Sequence, residues 1–315
     1  SENIHESPSG ERVAYNVGQV VYVQEGDGTR RVVTADTAFG VVNGRSVHQN
    51  EFGINGGIFW SPDGGKLAFY RMDESMVGEY PLVDVSAREA VARPFRYPMA
   101  GMKSHHVTVG VYDVAGGGEV VWLQTGGDPE HYLTNVTFTP EGNAVVIAEL
   151  NREQNHMELN RYSATTGERL GLLFEERALD YVEPLSGPMY VPGGKGMFVW
   201  ESQRSGHNHL YLYDGTGKLL RPLTEGAWDV LGVFGFSVQG ENLYIYGNEG
   251  AVLERHVESV SLRDGKRQRL TDVPGFHTAV LDFAGNRFAA TWSQGLTPGG
   301  FYVKSLGRGK RLDLL

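Results

Sequence analysis

Few side chains in this sequence could do chemistry, and they are scattered. Glu51 stands in "SVHQNEFGINGGIFW", between an amide-rich run and an aromatic, just ahead of a glycine-rich turn. A carboxylate in that setting can bind a cation, or it can be an exposed loop acid paired with Arg45. Arg71 and Asp73 follow in "FYRMDES". They are two apart, so in a strand they share a face, suited to bracing the Glu51 segment by a salt bridge or to lining a cavity. Tyr181, in "DYVEPL", joins two repeat units. There a tyrosine buried between neighbours is the default, and a reach to a ligand is the alternative. His105 and His106 are adjacent, so in a strand they point to opposite faces and cannot chelate together. His207 and His209 would share a face but have no third metal ligand nearby.

No nucleophile is set up for catalysis. A hydrolase elbow needs G-x-S-x-G on a strand-to-helix turn, and "GRSVH" and "GFSVQG" miss the second glycine. "GGKGM" is too short for a phosphate loop. Cysteine is absent, which excludes disulfides, thiolate metal sites and a cysteine nucleophile. The sequence gives no reason to expect a metal or other cofactor.

The elements that must position these residues recur along the chain. "ESPSGERVAYNV", "WSPDGGKLAFYRMD", "FTPEGNAVVIAELN", "YVPGGKGMFVWESQ", "FSVQGENLYIYGNE" and "DFAGNRFAATWSQ" each read as a polar turn followed by an alternating apolar strand. Proline presets φ at the first corner of such a turn, and a later glycine permits positive φ. Further strands such as "HLYLYD" and "RPLTEG" complete each unit. The last four units repeat at about 46 to 54 residues, the period of a four-stranded propeller blade. The reading is all-β: a β-propeller of four-stranded antiparallel blades, six of them, spanning 1–315 as one domain. The second unit carries about thirty extra residues, "DESMVGEYPLVDVSAREAVARPFRYPMAGMKSH". Loops that long are often functional, and a hairpin arm packing on a neighbour is the alternative. Within it, "SAREAVA" at 86–92 is the best helical candidate of the chain.

With 28 Lys plus Arg against 38 Asp plus Glu, the formal charge is −10. That excludes a uniformly basic nucleic-acid face and would mildly attract cations, including free amino termini. No apolar run is long enough to span a membrane, and "SENIHESPSG" is not a signal peptide.

Several long non-repeat stretches are more specific. "FYRMDESMVGEYPLVD", "YPMAGMKSHHVTVGVYDV", "AELNREQNHMELNRYSATTGE" and "LERHVESV" resemble the non-catalytic propeller of the dipeptidyl peptidase IV family of serine peptidases, with the prolyl tripeptidyl aminopeptidase branch nearest. The resemblance implies an eight-bladed propeller capping an α/β-hydrolase domain that holds the catalytic triad. This chain would then be a partial propeller without catalysis of its own. It further implies an exopeptidase cutting after proline, a periplasmic or secreted location, and a homodimer formed through the propeller arm and hydrolase domain. By the same resemblance Glu51 matches the glutamate that binds the substrate α-amino group, and Arg71, Asp73 and Tyr181 are the neighbouring substrate-side candidates. Dipeptidyl members carry two adjacent glutamates where this chain has Asn50-Glu51, which favours tripeptide release. A stand-alone TolB-type propeller that binds a peptide or protein partner is the alternative reading.

Overall fold

The computed structural model describes residues 2–284, 286–295, 297–307 and 312–314. Among them are six antiparallel sheets of four or five strands and one separate two-stranded hairpin, with a single 3₁₀ turn at His48–Asn50 as the helical content. Each sheet is a simple up-and-down meander, which is the blade of a β-propeller. The chain divides into two compact units, Ser1–Gly187 with blades 1 to 3 and Pro188–Leu315 with blades 4 to 6. No helix among the described residues is long and apolar enough to cross a membrane.

The repeated turns form as their chemistry dictates. In blade 2, Gly64 adopts φ +68° and its N–H closes the turn on the Ser61 carbonyl at 2.9 Å. Asp63 accepts from the Ser61 hydroxyl (2.6 Å) and the Gly65 N–H (3.0 Å), which fixes the corner before the strand begins. The strands depart from simple alternation. Ala144–Leu150 and His209–Tyr213 are buried on nearly every residue, whereas the outer strand Leu219–Pro222 is exposed throughout. Blades stack face to face within each unit, so their central strands lie between two apolar layers. One core cluster joins blades 2 and 3 through Tyr70, Val109, Leu133 and Ile147, and another joins blades 4 and 5 through Val199, Leu212, Val230 and Ile245.

A polar staple recurs where a blade ends. A threonine just after the outer strand accepts a backbone N–H from the third strand: Leu210 to Thr224 (3.0 Å) and Val257 to Thr271 (3.3 Å). In blade 1, Thr34 does the same for Val21 at 3.0 Å. In blades 4 and 5 a buried imidazole adds a second bond, His209 Nδ1 to Thr224 (3.0 Å) and His256 Nδ1 to Thr271 (2.8 Å). The other nitrogen of His209 bonds the Gly226 carbonyl at 3.0 Å, and His207 faces Asp229 instead. The His207/His209 pair is therefore structural.

The long insertion of blade 2 is a hairpin, Glu79–Asp84 paired with Val91–Arg96, that bonds to no other strand among the described residues. The expected helix at 86–92 is not formed. Those residues make the hairpin turn and the start of its second strand, since so short a segment cannot nucleate a helix. Arg96 anchors the base, donating to the carbonyls of Glu74 (3.2 Å) and Val77 (3.0 Å) and lying 4.6 Å from the Phe39 ring centre.

Replacing Thr271 by valine keeps the shape but removes the acceptor for Val257 N–H and the partner of His256. We expect a loss of about 1–3 kcal/mol in urea unfolding, from buried polar groups left unpaired, whereas Thr216→Val on an exposed turn should cost well under half of that.

Candidate functional site

The first strand of blade 2 is broken in two. Val41–Asn43 pairs with the end of Lys66–Asp73, and Ile58–Trp60 pairs with its beginning. Between them residues 44–57 leave the sheet and return. Tyr70 closes the stem from both sides, accepting Gly44 N–H (2.8 Å) and donating its own N–H to Gly57 (3.0 Å). The approach is close enough that a Cβ on Gly57 would lie 2.2 Å from the Arg45 carbonyl oxygen. Glu51 thus lies inside blade 2, on an excursion from its innermost strand.

The loop is strained and firmly held. His48, Gln49, Asn50 and Phe52 all have φ between +51° and +63°, at a cost of roughly 1–2 kcal/mol each. Burial of Val47, Phe52 and Ile54, each 5% exposed or less, contributes about 1.5–3 kcal/mol per side chain and offsets strain of that order. Phe52 packs on Tyr132 with ring centres 4.9 Å apart. Gly53 lies flush against the 178–187 segment, where an added Cβ would meet the Leu185 carbonyl.

His48 is the polar anchor. Its Nε2 accepts the Leu133 N–H at 3.1 Å, so Nδ1 carries the proton and donates to His105 Nε2 at 3.1 Å. The same His105 nitrogen accepts the His48 backbone N–H at 3.2 Å. Both rings are buried and neutral. Burial, then the neighbouring charges of His105, His131 and Arg152, holds His48 well below the usual imidazole range. Burial, with Arg152 and His106, pushes His105 down to about 4. His105 lies just before the strand that begins at His106, not within it as expected, and this pairing, whose partners lie 57 and 85 residues from His48, was missed in the sequence.

Glu51 itself is exposed, and among the described residues its carboxylate has neither an ion-pair nor a hydrogen-bond partner. Its backbone is fixed, N–H to His48 and carbonyl to Ile54 N–H, at 3.1 and 3.0 Å. Asn50, next to it, bonds the Ser46 hydroxyl. Tyr181 was expected to be buried between blades by default, but it is 64% exposed. Its segment is pinned by Val182 N–H to the Gln154 carbonyl (2.7 Å) and by Asn135 to the Pro184 carbonyl (2.9 Å), leaving the ring outside. Arg152, on the adjoining turn, bonds the Tyr132 hydroxyl and lies 5.3 Å from that ring centre. Residues 51–53, 152–154 and 181–185 therefore form one contiguous cluster at one end of blade 3.

Arg71 and Asp73 are not in it. Arg71 makes a two-pronged ion pair with Asp36 at 2.9 and 3.3 Å, and that guanidinium holds the Asp36 carboxyl below its ordinary range against the opposing effect of burial. The expected brace from Arg71 to Glu51 is replaced by this link to the end of blade 1. Asp73 caps the following turn by accepting Ser75 N–H at 2.9 Å.

Known proteins resolve what this arrangement belongs to. Residues 2–299 match the family described as the dipeptidyl peptidase IV (DPP IV) N-terminal region. The chain belongs to that family. A solved Bacteroides ovatus chain described as a dipeptidyl aminopeptidase IV is 35% identical with a TM-score of 0.87, covering 100% of this chain and 47% of its own. Porphyromonas gingivalis dipeptidyl peptidase 4 is 26% identical with a TM-score of 0.86, covering 96% of this chain and 43% of its own. Dipeptidyl aminopeptidase B of Saccharomyces cerevisiae is 26% identical over 276 residues, 82% of this chain and 34% of the relative. This member of the DPP IV N-terminal family thus spans about a third of the curated relative and under half of the solved ones.

The neutral pair His48–His105 sets a pH dependence. Folded-state pKa values below the ordinary 6.5 mean that the unfolded chain takes up protons first as pH falls. The stability contributed by the neutral rings is whole above about pH 6.5 and is lost progressively down to about pH 4. The shift of His105 alone corresponds to a loss on the order of 3 kcal/mol across that window. The protection of the amides of residues 44–57, meaning exchange relative to its intrinsic rate at each pH, should fall between pH 7 and 5 in the wild type, with a shallower dependence in His105→Gln. An equal pH slope in both would remove the pair as its source.

Proposed function

We propose that this chain is the substrate-gating propeller of a serine-type, proline-specific exopeptidase, with Glu51 anchoring the free α-amino group of a peptide. The observation that carries this reading is a carboxylate with no partner among the described residues, on a strained loop held by His48, Asn50, Phe52 and Gly53. A substrate α-amino group has a pKa near 8 and is largely charged at neutral pH. A carboxylate binding it makes a charge-assisted contact, about twice as strong as a neutral hydrogen bond. Fixed at one distance from a nucleophile, it selects chains by the number of residues between the amino end and the scissile bond. A single free acid, with Asn50 engaged by Ser46, fits tripeptide release better than a paired-acid dipeptide clamp. Tyr181, exposed on the segment that packs against Gly53, is the aromatic side chain offered to the substrate, and Arg71 and Asp73 brace the blade through Asp36 and the turn at Ser75. Bond cleavage falls to an α/β-hydrolase domain outside this chain, and the site of action is the periplasm or the exterior.

The arm supports a second element of the proposal, a homodimer. A lone two-stranded hairpin is marginal in water, yet this one carries Tyr80, Leu82, Val83, Val91 and Phe95 exposed. A second copy of the arm would cover these residues and pair the open strand edges.

The anchor is tested in the full-length peptidase. Glu51→Gln should lower kcat/KM on a free-amino proline tripeptide tenfold or more, over 1.4 kcal/mol, with little change on the N-blocked peptide. Equal losses on both substrates would remove Glu51 from amino-end recognition. For the arm, Tyr80→Ser with Leu82→Ser should shift the full-length protein from dimer to monomer in sedimentation, while an unchanged mass would place any dimer contact elsewhere.

A further inference from the structure

The outer strands of blade 3 bring together ligating side chains that the proposed peptidase role does not use. His156 and Glu158 are two apart on His156–Ser163 and share a face, and Glu175 on Arg169–Arg177 sits directly opposite Glu158. His156 Nε2 lies 2.8 Å from Glu175 Oε2 and 3.9 Å from Glu158 Oε1. One ligand atom from each of the three falls within 4.8 Å of the other two. Two glutamates facing each other across strands repel, and a cation between them removes that cost.

The surroundings orient these groups. Glu158 Oε2 accepts from Asn160 Nδ2 at 3.3 Å, and Asn160 is itself held by Arg169 at 3.0 and 2.6 Å. That leaves Oε1 of Glu158 for the cluster. The His156 backbone is tied to Asn151 at 2.9 Å. Such outer partners orient metal ligands and tune their affinity. Beside the cluster, a cleft of about 490 Å³ is lined by His156 and Glu158 together with Asp128, Glu149 and Glu153, against Arg152 and Arg169. Its acidic excess raises the local concentration of cations.

We propose that His156, Glu158 and Glu175 bind a divalent transition-metal ion of the zinc class. One imidazole and two carboxylates are the ligand types of three-ligand zinc centres, whose fourth position takes water. Bonds of about 2.0–2.2 Å would be reached by side-chain adjustments of about 1 Å. Magnesium and calcium, which need six or more oxygen ligands, fit poorly. Arg169 lies 3.8 Å from Glu158 Oε2, the oxygen outside the cluster, and the competitor at the ligand atoms is Arg177, 3.1 Å from Glu175. Its side chain is 64% exposed, and a surface ion pair of that kind contributes about 0–1 kcal/mol, so the ion displaces it. Bound there, the ion clips the outer strand of blade 3 to its neighbour.

Calorimetric titration of the metal-free full-length peptidase with zinc chloride tests this, the variants being compared with the wild type. One site is expected, with a rise in melting temperature on zinc addition. His156→Ala and Glu175→Gln should each weaken binding tenfold or more and abolish the rise. The two variants report independently, so a folding defect in one leaves the other to decide. No zinc uptake by the wild type, or uptake of unchanged affinity in the variants, overturns the site.

Discussion

The Glu51 loop depends on one imidazole staying neutral. His48 Nε2 must be an acceptor, because it faces the backbone N–H of Leu133, and Nδ1 must be a donor, because His105 Nε2 already accepts the His48 N–H. No other protonation state satisfies all three contacts. A charged ring would set donor against donor at a position buried away from solvent. The loop therefore has one polar solution, and that solution fixes the left-handed backbone on which Glu51 is presented.

Strain and burial are distributed to the same end. Consecutive left-handed residues persist only where the surroundings over-determine them, and such segments cluster at functional sites. Here the excursion leaves the innermost strand at Gly44 and rejoins it at Gly57, with Tyr70 bonded to both. The sheet runs on beneath, so a disturbance of the loop tip need not unzip the blade. The apolar residues Val47, Phe52 and Ile54 flank Glu51 on both sides in sequence and are all buried. Between His48 and Ile54 the exposed long side chains without a partner among the described residues are Gln49 and Glu51, and Glu51 is the one that carries charge.

How much of this was legible in the sequence follows from the range of each interaction. The repeat turns were readable because their chemistry is local: Ser61, Pro62, Asp63 and Gly64 make their own corner. The six blades followed from counting them. The hairpin at 79–96 was open between alternatives, and the alanines at 87 and 90 pulled "SAREAVA" toward a helix that is too short to form. The status of Tyr181 was misread because its exposure is decided by where Val182 and Pro184 are tied, to Gln154 and Asn135, and no local pattern encodes that. Arg71 and Asp73 were placed on one face as found, but the ion partner of Arg71, Asp36, lies in the connection from blade 1. The His48–His105–Leu133 network is long-range throughout, and a lone histidine in "SVHQNEFGI" carries no sign of it. Glu51 was singled out by family resemblance, and spacing alone would have left it a surface acid.

The proposed anchor also explains why its neighbour is an amide. A second carboxylate at position 50 would sit on the same left-handed turn, within a few ångströms of Glu51, and the two would disfavour each other's charge. Such a pair is stabilised when a cation is bound and costs stability when the site is empty. Asn50 avoids that cost and uses its side-chain oxygen to accept from Ser46, stiffening the loop from within. A clamp of two acids gains attraction for the ammonium group, whereas one acid on a stiffened loop gains definition of distance. Under the proposed anchor role, distance is what selection by residue count from the amino end requires, and an asparagine in place of a second acid would trade affinity for register.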